Sequence, residues 1–94
     1  MYIVRNTFTA RPGMASKLAD LMKKSTSLQG MERARVLTDA VGTFNTVIME
    51  HEVEDLAGFE RRMQEYGSRK DVQEIMRGYT DMYLSGTREI YKVV

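Results

Sequence analysis

Hydrophobic and polar residues first alternate along Tyr2–Ala10, with Tyr2, Val4, Asn6 and Phe8 on one side and Ile3, Arg5, Thr7 and Thr9 on the other. A period of two is the signature of a half-buried strand. Arg11-Pro12-Gly13 ends it, because proline suits the first turn of a helix and cannot continue a central strand. From Met14 the apolar positions fall at Met14, Leu18, Leu21, Met22 and Leu28, a helical spacing with Lys17, Asp20, Lys23 and Lys24 facing water, and Gly30 is a stop. Glu32–Thr38 predicts a second strand, Asp39–Gly42 a turn, and Thr43–Val53 a longer third strand. Asp55 is suited to cap a helix whose stripe is Leu56, Phe59, Met63 and Tyr66. Gly67-Ser68 interrupts that helix. It resumes with Val72, Ile75, Met76, Tyr79, Met82 and Tyr83 inward, until Ser85-Gly86 ends it and Thr87–Val94 forms the last strand.

The order β-α-β-β-α-β predicts an α+β, ferredoxin-like sandwich as a single domain over residues 1–94. Its four-stranded antiparallel sheet has both helices on one face, the second broken near Gly67-Ser68. Side-chain parity assigns Tyr2, Val4, Phe8, Ala34, Val36, Val47, Met49, Tyr91 and Val93 to the helix side. Ile3, Leu37, Phe44, Ile48 and Ile90 fall on the other side, mixed with Arg5, Arg33, Arg35, Glu50, Glu52, Arg88 and Lys92. Apolar groups left there in water would form a patch that monomers seldom expose. The expectation is a homodimer in which two sheets close face to face, the charges pairing or reaching the rim.

Composition narrows the functions. With 14 Lys+Arg against 13 Asp+Glu among 94 residues, the chain lacks the basic excess of a nucleic-acid binder. The open face offers few aromatics for stacking bases, and its glutamates repel phosphate. Without cysteine there is no disulfide, thiolate nucleophile or zinc–thiolate site. The opening MYIVRNTFTA has charged and polar residues where a signal peptide needs an apolar run. No apolar stretch reaches the ~20 residues that span a bilayer. A cytoplasmic protein with no membrane partner is expected. Eight methionines are either core filler or the pliable wall of a pocket.

The segments NTFTARPGM…LADLM, TVIMEHEVEDLAGFERRM and SGTREIYKVV, in that order of elements, resemble the dimeric α/β-barrel superfamily. Within it they are most similar to the antibiotic-biosynthesis-monooxygenase-like and NIPSNAP-like small proteins. The resemblance covers nearly the whole chain and implies the barrel dimer. The superfamily includes cofactor-independent oxygenases of polycyclic phenols, heme-degrading monooxygenases, lactone isomerases and proteins without known activity, so fold alone does not choose. It also implies a pocket between sheet and helices, on the side that carries Asn6. Heme degraders pair such an asparagine with a tryptophan and an iron-ligating histidine on the second helix. This chain has no tryptophan, and no histidine between Asp55 and Tyr83.

The candidate chemistry follows from position. Asn6 is a polar group on an apolar surface, where an unpaired amide is costly. His51, the single histidine, shares its side of the sheet. A neutral imidazole beside an amide suits proton removal from a phenol, the amide holding the oxyanion. The plainer alternative is a strand-end histidine satisfied by a backbone or carboxylate partner. Phe8, Met49, Tyr66, Tyr79 and Tyr83 would line a substrate cavity, or serve as core with their hydroxyls at its margin. One histidine supplies too few ligands for a metal. The expected function is a small monooxygenase-like protein acting on or binding an aromatic or apolar molecule without a cofactor. The alternative is a non-catalytic dimer that binds a ligand or a partner.

Overall fold

A computed structural model describes residues 1–94. The elements are β1 (Tyr2–Ala10), α1 (Ala15–Leu28), β2 (Glu32–Thr38), β3 (Thr46–Val53), α2 (Leu56–Ser68), α3 (Lys70–Ile75), a 3₁₀ turn (Tyr79–Asp81) and β4 (Tyr83–Lys92). The four strands form one sheet in the order β2-β3-β1-β4, antiparallel at every junction. This is the ferredoxin-like α+β arrangement, with β1 and β3 at the centre. No helix is long and apolar enough to cross a membrane.

Local chemistry sets most of the boundaries. The Asp55 carboxylate accepts a hydrogen bond from the Gly58 N–H at 2.6 Å, so α2 starts where a capping residue stands. At the other end Arg69 is extended (φ −76°, ψ 126°) and separates α2 from α3. β3 starts at Thr46 rather than Thr43. Asn45 takes a left-handed conformation (φ 63°), and the Asp39 carboxylate accepts from the Thr46 N–H, closing a turn that holds Thr43–Asn45 off the sheet.

The last strand departs further from expectation. The helical run stops at Ile75, and Gly78 adopts φ 79°, a left-handed conformation cheap for glycine alone, turning the chain into the 3₁₀ turn that leads to β4. Tyr83 therefore belongs to β4, and Ser85-Gly86 lies inside the strand rather than before it. Gly86 is required there for space, since a Cβ would come within 2.9 Å of the Phe8 ring. β4 pairs Tyr2 with Lys92, Val4 with Ile90 and Asn6 with Arg88, after an irregularity between Thr9 and Ala10. Directly paired residues share a face. Arg88, Ile90 and Lys92 thus lie on the helix side, and Tyr91 lies on the open side, the reverse of the parity read from the sequence. Val93 lies beyond the strand, as Phe44 lies in the turn before β3.

Two small apolar clusters fill the helix side. Ala10, Leu18, Met22 and Val47 form one, packed by Phe8, Val36, Met49, Met76, Tyr79, Met82 and Tyr83. Val4, Val53 and Phe59 form the other, with Tyr2 and Met63. Between them, Asn6 on β1 and His51 on β3 make a buried polar layer.

The open face carries a charge ladder. Register places Arg35, Glu50, Arg5 and Glu89 in one row across all four strands. Glu50, 5% exposed, accepts from Arg5 Nε at 2.6 Å and from Arg35 Nε at 3.0 Å. Burial alone would push its carboxyl up, but the two arginines together outweigh that and hold it below the ordinary range. Tyr91 donates to Glu89 at 2.6 Å, and the Arg5 guanidinium lies 5.3 Å from the Tyr91 ring centre. Around the ladder Leu37 and Tyr91 are exposed, as is Phe44 at the nearby turn.

Candidate functional site

Asn6 is 4% exposed, and its Oδ1 accepts a hydrogen bond of 2.7 Å from Arg88 Nε. The buried amide thus meets the partner that burial demands, from the adjoining edge strand. The guanidinium carbon of Arg88 lies 5.6 Å from the Phe59 ring centre, so α2 supplies a cation–π contact from above. His51, also 4% exposed, has its ring 5.8 Å from that of Phe59. Val4 pairs with His51 and Asn6 with Met49, making Asn6 and His51 diagonal neighbours, about 7–8 Å apart along the sheet. They share a layer without touching directly through the ladder.

Burial pushes the His51 imidazole down. A backbone hydrogen bond at Glu52 opposes that, while the positive charges of Arg62 and Arg88 lower it further. The folded protein therefore holds His51 neutral near pH 7. An unfolded histidine titrates near 6.5, so below that pH the unfolded chain binds the proton more readily and stability falls. The expected result is a Tm that declines as pH drops from about 7 towards 5, and a shallower decline in His51→Gln. Equal slopes in the two proteins would contradict a buried neutral imidazole. Glu50 acts in a more acid window, below its ordinary 4.5.

The remaining predicted site residues divide into two groups. Phe8 and Tyr83 have ring centres 5.0 Å apart, and Tyr79 and Tyr83 5.8 Å, forming a half-buried aromatic run on one side of the polar layer. Met49 packs with them. Burial raises the Tyr79 phenol, Tyr83 adds to this, and the Arg88 charge opposes it. Tyr66 stands apart, donating its hydroxyl to the Gln29 carbonyl at 2.9 Å. With His51, Phe59, Arg62, Met63, Met31 and Glu32 it lines a cavity of about 10 Å³, room for one water. Two broader concavities, of about 600 Å³ beside the β2–β3 turn and about 550 Å³ between α1 and α3, touch none of these residues, whereas one of about 270 Å³ among Ile3, Arg33, Arg35, Glu50 and Glu52 also borders His51. No group of three His, Asp or Glu side chains is arranged to hold a metal ion.

Arg88 and Phe59 are the members of this layer that sequence reasoning missed. The one signal for Arg88 was charge: shifting β4 by one position puts Glu89 beside Arg5 instead of Arg88.

No protein-family model matches the chain, and no curated protein matches it. Solved structures match over almost its full length. An uncharacterized NIPSNAP domain protein from Burkholderia xenovorans superposes with a TM-score of 0.85 at 12% identity, covering 100% of this chain and 95% of that one. A NIPSNAP family protein from Agrobacterium tumefaciens gives 0.85 at 12% identity, covering 99% and 85%. A Chloroflexus aurantiacus protein provisionally assigned as an antibiotic biosynthesis monooxygenase gives 0.77 at 14% identity, covering 99% and 92%. The chain therefore has the fold of the NIPSNAP-like and antibiotic-biosynthesis-monooxygenase-like proteins, the resemblance its sequence suggested. The likeness is one of fold.

Proposed function

We propose that this chain works as a homodimer through its open sheet face, and that each subunit binds an aromatic or apolar small molecule against the helix side. The supporting observation for the ligand is the buried pair Asn6 and His51, with the exposed Arg88 hydrogen-bonded to Asn6, set between the aromatic run of Phe8, Tyr79 and Tyr83 and the ring of Phe59. In the monooxygenase-like form of this reading, neutral His51 accepts the phenolic proton. Asn6, fixed by Arg88, orients the substrate oxygen, and oxygen then reacts with the electron-rich ring without a cofactor. Met49, Tyr66, Tyr79 and Tyr83 shape the walls. The small space at His51 favours the second reading, a non-catalytic binding protein whose ligand stays on the uncovered flank of β4. A cytoplasmic setting suits either.

For the dimer, the support is the charge ladder and the apolar residues beside it. A twofold axis parallel to the strands reverses strand order, setting Arg35 opposite Glu89 of the second copy and Glu50 opposite Arg5. The row is then self-complementary. A twofold axis across the strands would set like charges together, at a cost of several kcal/mol.

Oxygen uptake with 9-anthrone separates the two readings. Catalysis consumes one O₂ per anthrone, forms the quinone and releases water. The monooxygenase-like reading expects uptake above the protein-free rate, lost in His51→Gln. Saturable binding of a ring ligand without uptake leaves the binding protein, and absence of both removes the ligand reading.

A further inference from the structure

We infer that the helix-side flank of β4, centred on Arg88, is an anion site for an aromatic carboxylate. The inference rests on the small-molecule reading above and names the class of ligand. Its basis is a contrast between the two faces of one sheet. On the open face Arg5, Arg33 and Arg35 each have a carboxylate within ion-pair distance. On the helix side Arg88 has none within 4.0 Å, and its only side-chain hydrogen bond goes to a neutral amide. The other charges that bear on His51 are positive, from Arg62 and Arg88, and Lys92 follows on the same side of β4. Glu32 lines the small cavity with His51 and Arg62, yet it pairs with neither.

Arg88 is also oriented. Its Nε is taken by Asn6 and its plane is steadied by Phe59. The terminal nitrogens are left for a ligand, and two N–H groups side by side match the two oxygens of a planar carboxylate. Most arginine side chains lose considerable rotamer freedom on binding. Here the buried amide has already restricted it, which lowers the entropy cost of capture. Ile90, 40% exposed and two positions along the same face, gives an apolar floor for the ring attached to the carboxylate. Asn6 is on this account a positioning residue, acting through Arg88.

Sodium 2-naphthoate tests the site, with neutral 2-naphthamide as the matched probe. Titrations followed by ¹H–¹⁵N spectra of the arginine Nε–H groups and by methyl spectra should show saturable shifts at Arg88 and Ile90. Naphthoate should bind at least tenfold more tightly than the amide. Arg88→Gln should lose at least tenfold, Arg88→Lys should recover part of the affinity, and Arg61→Gln on the outer surface of α2 should match wild type. Raised salt should weaken naphthoate and leave the amide unchanged. Equal binding of the two probes would overturn the anion class while leaving the small-molecule reading intact. Absence of saturable binding by either would remove both. Unchanged naphthoate affinity in a folded Arg88→Gln would move the site away from β4. The probe comparison in wild type decides the class even if that variant does not fold.

Discussion

Replacing Leu18 with alanine is expected to destabilise the protein by about 2–5 kcal/mol, the range for a buried leucine whose cavity does not collapse. Leu18 is fully buried and is one of only four side chains in the larger cluster. A domain of this size has roughly 5–15 kcal/mol in total, so a large share would go at one position. Urea denaturation at fixed protein concentration measures the loss, because dimerisation would otherwise shift the midpoint by mass action. The midpoint should fall while the slope holds. Val41, 98% exposed, provides the contrast, its change to serine staying within about 0.5 kcal/mol. A Leu18→Ala loss below 1 kcal/mol would mean that α1 is not seated on the sheet as described.

The second large effect concerns assembly. Aspartate at Ile48 should weaken a sheet-to-sheet dimer about a hundredfold or more, since an unpaired charge in an interface costs several kcal/mol. Ile48 faces the open side beside Leu37 and Thr7 and packs under no helix, so the monomer should stay folded. Light scattering should then give a dimer mass for wild type and a monomer mass for the variant. The orientation has its own test, because the chain has no cysteine of its own. Arg35→Cys and Glu89→Cys, mixed and treated with a short bis-maleimide, should crosslink to each other, and neither alone should. Crosslinking of Arg35→Cys by itself would mean an axis across the strands. A monomeric wild type at micromolar concentration would remove the dimer.

Legibility from sequence followed the strength of each local signal. β1 and β2 have the predicted ends because the alternation is strong and Arg11-Pro12-Gly13 stops the first of them. Asn45 carried no comparable mark. Its positive φ shortened β3 against a pattern of side chains that continued through it. β4 was the weakest signal. Its helix side reads Arg88, Ile90, Lys92 and its open side Thr87, Glu89, Tyr91, so neither side is apolar enough to fix parity, and a one-residue slip moves every side chain across the sheet. That slip alone hid Arg88. Asn6 was visible because it interrupts an apolar face. The guanidinium that answers it is 82 residues away in sequence, and only pairing across the β1–β4 edge brings the two together.

The division of the core into two clusters also bears on how the molecule opens. The break at Arg69 separates α2, which covers Val4, Val53 and His51 chiefly through Phe59, from α3 and the segment after it, whose Met76, Tyr79 and Met82 pack on the larger cluster. Regions with few buried contacts form the less protected cooperative units of a protein. On that ground α2, held by Phe59 and by the Tyr66 hydrogen bond to Gln29, is expected to open before the Leu18 cluster, which would show as faster amide exchange in α2 than in α1. A ligand that must reach His51 itself, and is too large for the space there, would bind only to that opened fraction, its apparent affinity scaled by the population of the open form. Affinity at the polar layer and the amide protection of α2 are in that case two readings of a single equilibrium.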